Sequence, residues 1–495
     1  MIPLMRRPVL FPVLVLLGCG GRDPSSPFDD GTDSMPTTAT STPTATTSAD
    51  GTTGSPKLDV MDGGNTAGDD GGGACPGVNG DAILSGTVYA PNGQIPIAGA
   101  VVYFTPDPPD PVPQLVYCLD CIELTCDDPY ALTEPDGSFS FDTHAGSGYL
   151  VVQKGQFRRV TPLELSEGST ALDAALTTLP DHNDPASGLS IPRIAVALGD
   201  HDRLEHSLAK LGLGDTSIDG YEEELIAGTE PFDVWDNSPQ QDLPGSLGDF
   251  AQLVSSPVLL EQYHIVFVPC SLQAGEYPAV LDDPIVLDNI RSWVAAGGKW
   301  YVADWSGEAI DKPFGQYQTF WKRQDSPTVA QWQDQDWLDL GHYDPLGTVL
   351  DPELLAWLQA LPPALADINP QNDPTLDPLP TLGMLPQLQT VYAYSGIREL
   401  ASVMVDDGMG GTVDVGHKVW IEGEGSATWG VPPPGQQHPL TISAEYGCGR
   451  ILFTAYHTVE GRSYVGLTPQ ELVLMYLVME IGVCQTPYEP PPPVG

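Results

Sequence analysis

The chain has 495 residues, with 66 acidic against 19 basic side chains and a formal net charge of −47 at pH 7. A surface of that sign repels phosphate backbones and anionic lipid headgroups, so nucleic acid is excluded as an expected partner. Hydrophobic residues make up 41% of the chain, enough for two or three cored domains once polar leader and tail segments are set aside.

The first eighteen residues, MIPLMRRPVLFPVLVLLG, place Arg6 and Arg7 before a short apolar run that ends at Cys19. That run is far shorter than the roughly 20 residues needed to span a bilayer, which marks 1–18 as a secretory signal. Leu16-Leu17-Gly18-Cys19 resembles the bacterial lipobox. The resemblance implies that Cys19 is acylated and becomes the mature N-terminus, and Gly20 after it is similar to lipoproteins passed to the outer membrane. The expected localisation is a lipid-anchored outer-membrane protein on the cell surface or periplasmic face, held to the membrane by its N-terminal lipid alone. Residues 19–80, as in PTTATSTPTATTSADGTTGS, hold too little apolar surface to offset the entropy of ordering and read as a flexible acidic tether. No acidic piece of the tether carries a full calcium-loop spacing, so a solvated linker is the expectation there.

From Asp81 to about residue 178 the pattern changes to short alternating runs, AILSGTVYA, GAVVYFTP, YALTEPDGSFSFDT and YLVVQKGQFRRV. Turn sequences at Pro91-Asn92-Gly93 and Pro135-Asp136-Gly137 separate them, predicting an all-β sandwich. GTVYAPNGQIPIAGAVVYF, TEPDGSFSF and GYLVVQKGQFRR resemble the carboxypeptidase regulatory-like, transthyretin-like module. Gly86, Gly99 and Ala100 match its strand-and-turn pattern, and Asp136-Gly137-Ser138-Phe139 its hairpin. That resemblance implies a spacer, adhesion or carbohydrate-binding module without catalysis. Within it, YCLDCIELTC brings Cys118, Cys121 and Cys126 close in sequence. A zinc site is one reading, but no second CxxC or histidine pair accompanies it, and an exported chain favours disulfides among these three and Cys75.

After PDHNDPASG, which reads as a linker, residues 190–485 alternate buried strands and helices. IPRIAVALGD, YHIVFVPC, KWYVADW and GRILFTAYH are the expected strands. Asp202-Arg203-Leu204-Glu205 is expected to cap the first helix, with Asp202 at the N-cap. PIVLDNIRSWVAAGG is expected to bury Val286, Ile290, Trp293 and Val294, and Thr468-Pro469-Gln470-Glu471 to cap a last apolar helix. Residues 306–435 read as an insertion with a short helix, ELLAWLQAL, and strands TVYAYSG and HKVWIEGEG; residues 486–495 are a proline-rich tail. The predicted fold class is thus a β-sandwich followed by a flavodoxin-like, three-layer α/β domain with a long insertion.

The order of these elements, with SWVAAGGKWYVADW and YGCGRILFTAYHT, resembles the class I glutamine amidotransferase-like fold and its ThuA-like relatives. The resemblance implies a cysteine nucleophile on a sharp elbow after KWYVA and a histidine ending the late strand, with a glutamate two residues beyond. The elbow here reads Ala303-Asp304-Trp305-Ser306-Gly307, without a cysteine; His457 matches the histidine, and Glu460 follows at three residues. The carboxyl ends of the strands are expected to gather Asp200, Asp202, Cys270, Asp304, Ser306, His457 and Glu460 in one crevice. A metal held there by His201, His457 and the carboxylates is not supported by HxH or HxxxH spacing, and no cofactor is expected. The sequence therefore predicts a non-enzymatic surface lipoprotein that binds a glycan or protein or serves in display. The alternatives are a serine or cysteine hydrolase acting on surface or cell-wall material, through Ser306 or Cys270 with His457, and a glycan-binding protein using Trp321, Trp332, Trp337 and Trp357.

Overall fold

The computed structural model describes most of the chain from Gly80 to Ile481, together with a short strand at Val60–Asp62. Residues 1–59, 63–79, 272–277, 326–337, 367–381, 407–410, 426–429, 460–463 and 482–495, with a few shorter passages, lie outside the description. The predicted signal, Cys19 as the expected lipidation site, most of the expected tether and the expected tail fall there, as do Cys75, Cys121, Cys126, Asp200 and Glu460. The strand Val60–Asp62 sits inside the span expected to be tether, and pairs in parallel with Ile122–Leu124.

The first part of the described chain carries two sheets. Ala82–Thr87, Ser138–Thr143 and Gly168–Ala171 form a three-stranded one; Val101–Thr105, Tyr130–Leu132, Gly146–Lys154, Phe157–Leu165 and Leu189–Ser190 form a five-stranded one. Alternation decides which side chains go inward: Phe139, Phe141 and Thr143 are buried while Ser140 and Asp142 face out. Leu84, Val102, Leu150 and Val152 join the two phenylalanines in one apolar cluster. The hairpin at Asp136-Gly137 needs its glycine. Gly137 sits at φ +76°, and a Cβ there would stand 2.8 Å from the Val88 carbonyl oxygen. The passage expected to be a linker is ordered instead: Pro185–Ser187 form one 3₁₀ turn, and Leu189 and Ser190 pair with Arg159 and Arg158.

The second part is built on a nine-stranded mixed sheet. In chain order its strands are β1 (Ile194–Ala197), β2 (Asp233–Trp235), β3 (Ile265–Val268), β4 (Lys299–Ala303), β5 (Leu346–Val349), β6 (Gln387–Gln389), β7 (His417–Glu424), β8 (Gln437–Tyr446) and β9 (Gly449–Thr454). Their order across the sheet is β2-β1-β3-β4-β9-β8-β7-β5-β6. The first five in that row run parallel, and β8, β7, β5 and β6 add an antiparallel wing. β1, β3, β4 and β9 are buried along their whole length, as strands covered on both faces must be. HKVWIEGEG is a strand of this sheet as expected, whereas TVYAYSG makes, among its described residues, only isolated bridges from Ala393 to Tyr343 and Tyr456.

Three helices follow from local sequence. α1 (Leu204–Lys210) comes after β1; α2 (Pro284–Ala295) starts at Asp283, whose carboxylate accepts from Ile285 N at 2.9 Å, and buries Val286, Ile290, Trp293 and Val294. These four lie on one stripe at i, i+4, i+7 and i+8, each contributing about 1.5–3 kcal/mol by burial. α3 (Pro469–Ile481) carries the expected capping box: Thr468 Oγ1 accepts from Glu471 N at 3.0 Å, and Glu471 Oε2 accepts from Thr468 N at 2.8 Å.

Of the four candidate disulfide cysteines Cys118 alone is described, and it is disulfide-bonded, though to a partner outside the candidate set. Cys118 bonds to Cys448, 330 residues away, and not to Cys75 or a neighbour in its own cluster. The segment before it lies along the α/β domain, with Val116 N donating to Glu261 O at 2.8 Å and His264 Nε2 3.0 Å from Leu115 O. Cys448 N is held by Ala295 O, 2.9 Å away, at the end of α2, which brings the two sulfurs within reach. Sequence spacing carries no trace of a contact made by docking.

Candidate functional site

Strand order reverses between β1 and β3, the point at which open α/β sheets gather strand-end side chains beyond the carboxyl ends of the parallel strands. Cys270 follows β3 by two residues, Asp304 follows β4 directly and His457 follows β9 by three. Cys270 and Asp304 are wholly buried and His457 is 1% exposed. One donor atom from each, the Cys270 sulfur, an Asp304 carboxylate oxygen and a His457 ring nitrogen, lies within 4.8 Å of the other two.

Asp304 is the residue at the elbow. Its φ is +44°, in the left-handed region that costs a side chain about 1–2 kcal/mol, less for Asp than for bulkier residues. The carboxylate is fixed on one side by three hydrogen bonds: Tyr394 N, Ser395 N and Ser395 Oγ all donate to Oδ1 at 2.9 Å. Its other oxygen, Oδ2, stands 3.0 Å from His457 Nε2. Burial pushes the carboxyl above the usual carboxylate range, while the His457 contact and these hydrogen bonds pull it back. The imidazole is held by stacking against Tyr394, with ring centroids 5.6 Å apart, and Tyr392, at 6.2 Å. Gln470 at the start of α3 donates to the His457 carbonyl.

The shape of the cluster discriminates between chemistries. In a nucleophile–histidine–acid relay the two outer groups bond opposite ring nitrogens, which separates them by roughly 7 Å. Here the Cys270 sulfur and the Asp304 oxygen are within 4.8 Å of each other, so the three groups converge on one point. Ser306 is not in line for attack: it is 2% exposed and its hydroxyl donates to Pro269 O at 2.7 Å.

Asp202 is not the N-cap of α1. Arg203 holds that position without a side-chain capping bond, and the Asp202 carboxylate reaches across to accept from Thr458 N and Val459 N, both at 3.1 Å. Two backbone donors just past His457 outbid a single helix end. Burial pushes Asp202 up to about 6, against the opposing pull of His457. Beside it, His201 is drawn down to about 4 by burial and by the charge of His457, and its Nε2 is buried with no hydrogen-bond partner among the described residues. Tyr394 and Ser395, which orient Asp304, escape sequence reasoning because they lie 90 and 91 residues downstream in the insertion. Of the tryptophans considered for sugar stacking, Trp357 is 1% exposed and bonds Pro96 O, Trp321 is half-buried under Arg398, and Trp332 and Trp337 lie outside the described residues.

No protein-family model matches the chain, and no curated protein matches it. Among solved structures it is similar to a ThuA-like protein from Bacteroides uniformis, 9% identical with a TM-score of 0.29, covering 58% of this chain and 90% of that one. It is also similar to two cytoplasmic proteins from Salmonella typhimurium, each 11% identical with a TM-score of 0.25, covering 59% of this chain and 98% of the other. Likeness at this level leaves the site to be read from the chain's own geometry.

Proposed function

We propose that the chain is an exported, lipid-anchored surface protein in which a carboxypeptidase regulatory-like β-sandwich and a degenerate amidotransferase-like, ThuA-like domain serve binding or display and not hydrolysis. One observation carries this reading. The elbow, where such a fold would present its nucleophile, holds the carboxylate of Asp304, clamped by Tyr394 and Ser395 and facing His457. A carboxylate so placed orients an imidazole but leaves no reactive group in the attacking position. Full burial of Cys270, Asp304, Ser306 and His457 agrees, since an enzyme acting on cell-wall polymer needs an open approach to its nucleophile.

A thiol hydrolase is the competing reading, favoured by the nearness of the Cys270 sulfur to His457. Activity-based probes directed at serine and at thiol nucleophiles separate the two on the purified full-length chain. No labelling at Ser306 or Cys270 is expected. Labelling that is abolished by Ser306→Ala or Cys270→Ala, and suppressed by His457→Gln, would overturn the binding reading.

A further inference from the structure

Resting on the binding reading, we infer that Cys270, Asp304 and His457 form a site for a divalent cation of the zinc class, which ties together the ends of β3, β4 and β9. A thiolate, a carboxylate oxygen and an imidazole nitrogen are three donors of graded softness, a set that suits Zn²⁺ and disfavours Mg²⁺ or Ca²⁺. A tetrahedral ion bound at about 2.0–2.3 Å keeps its ligand atoms about 3.5 Å apart. The present atoms, within 4.8 Å of one another and 3.0 Å apart for the Asp304–His457 pair, reach that spacing by small side-chain rotations.

The surroundings of the cluster match what metal ligands need. Oδ1 of Asp304 is saturated by three donors, which aims Oδ2 at the shared point, the outer-shell device that fixes ligating carboxylates. The ring of His457 is locked by Tyr392 and Tyr394. His201 follows β1 at the same edge of the sheet, and its Nε2 is buried without a partner among the described residues, which makes it a candidate for a fourth position. Burial makes an ion there expensive unless it is matched, and a thiolate with a carboxylate supplies two negative charges to one divalent cation. The thiol, the carboxylate and the imidazole come from three separate strand ends, so the sequence shows none of the short spacings by which helix-borne sites are found.

The test uses the full-length chain with Cys19, Cys75, Cys121, Cys126 and Cys484 changed to serine, so that Cys270 is the one thiol outside the Cys118–Cys448 disulfide. After chelator treatment it is titrated with Co²⁺ while its absorption spectrum is followed. Uptake of one equivalent with a thiolate-to-cobalt charge-transfer band is expected, with displacement by Zn²⁺. Cys270→Ala should remove the band, and His457→Gln should weaken uptake at least tenfold. A cooperatively melting protein that gives no band, or a band that survives Cys270→Ala, overturns the inference. Should both variants fail to fold, X-ray absorption on the Zn²⁺-loaded parent decides: one sulfur in the first shell supports the site, and none overturns it. Probe labelling at Cys270 would instead sink the binding reading, whereas absence of both labelling and cobalt uptake would sink this inference alone.

Discussion

Asp304 holds a backbone conformation that costs energy, and its neighbours show what the strain secures. Removing the carboxylate by Asp304→Ala leaves the buried Tyr394 and Ser395 amides without their acceptor, each worth about 1–3 kcal/mol, at a φ that alanine also resists. A loss of about 3–5 kcal/mol in urea unfolding is expected. Asp304→Asn keeps an acceptor at Oδ1 and tolerates positive φ, so it should lose about half of that or less. Four residues on, burial pushes Glu308 up to about 8, and its Oε2 has no hydrogen-bond partner among the described residues. The folded chain thus keeps this proton up to about pH 8, while the unfolded chain releases it near 4.5. Its contribution to stability is intact below 4.5 and is lost as pH rises through 8. Glu308→Gln should match the parent near about pH 4 and exceed it by about 3–5 kcal/mol near about pH 9, read from paired denaturation curves. At this scale Asp304, Cys270 and His457 were legible as candidates because each follows a recognisable buried strand. Their gathering at the strand ends was expected from the order of the elements; the clamp from Tyr394 and Ser395 was not, because separations of 90 residues leave no local pattern.

Elements governed by neighbours in sequence are the ones that sequence reading recovers. Thr468 and Glu471 close the capping box of α3 with reciprocal bonds of 3.0 and 2.8 Å, and the pattern is visible in four consecutive residues. Thr468→Ala should cost about 1–2 kcal/mol in urea unfolding, and a neutral result would show that packing of α3 alone sets its start. At α1 the same kind of local pattern misled. Asp202-Arg203-Leu204-Glu205 has the right residues for a cap, but Thr458 and Val459 offer the Asp202 carboxylate two backbone donors from the far strand end. TVYAYSG departed from the expected strand for a related reason: Ala393 makes isolated bridges, but the next two amides, Tyr394 and Ser395, are spent on Asp304 and not on a ladder. Local propensity yields wherever a buried charge needs satisfying.

Across the whole described chain, a covalent link and a buried ion pair stand out among the contacts that join the first sheets to the α/β part. The Cys118–Cys448 disulfide closes a span of 330 residues, and Lys154 Nζ meets Glu480 Oε2 at 3.0 Å with both side chains buried. Constraint of so long a loop is worth about 2–5 kcal/mol, and the double variant Cys118→Ser, Cys448→Ser should lose an amount in that range. Lys154→Met should cost about 3–5 kcal/mol, because it strands a buried carboxylate, whereas Lys154→Met with Glu480→Leu should recover most of it. Neither contact was foreseeable from cysteine spacing or charge pattern. Across the molecule as a whole the strand-end cluster is closed and convergent, and the proposed reading is that it holds no poised nucleophile. The rate at which Cys270 is alkylated in the folded protein, followed by intact mass and peptide mapping, measures this most directly. Modification is expected only as fast as the chain unfolds, and His457→Gln should not slow it. Rapid modification of the native protein that collapses on His457→Gln would contradict it.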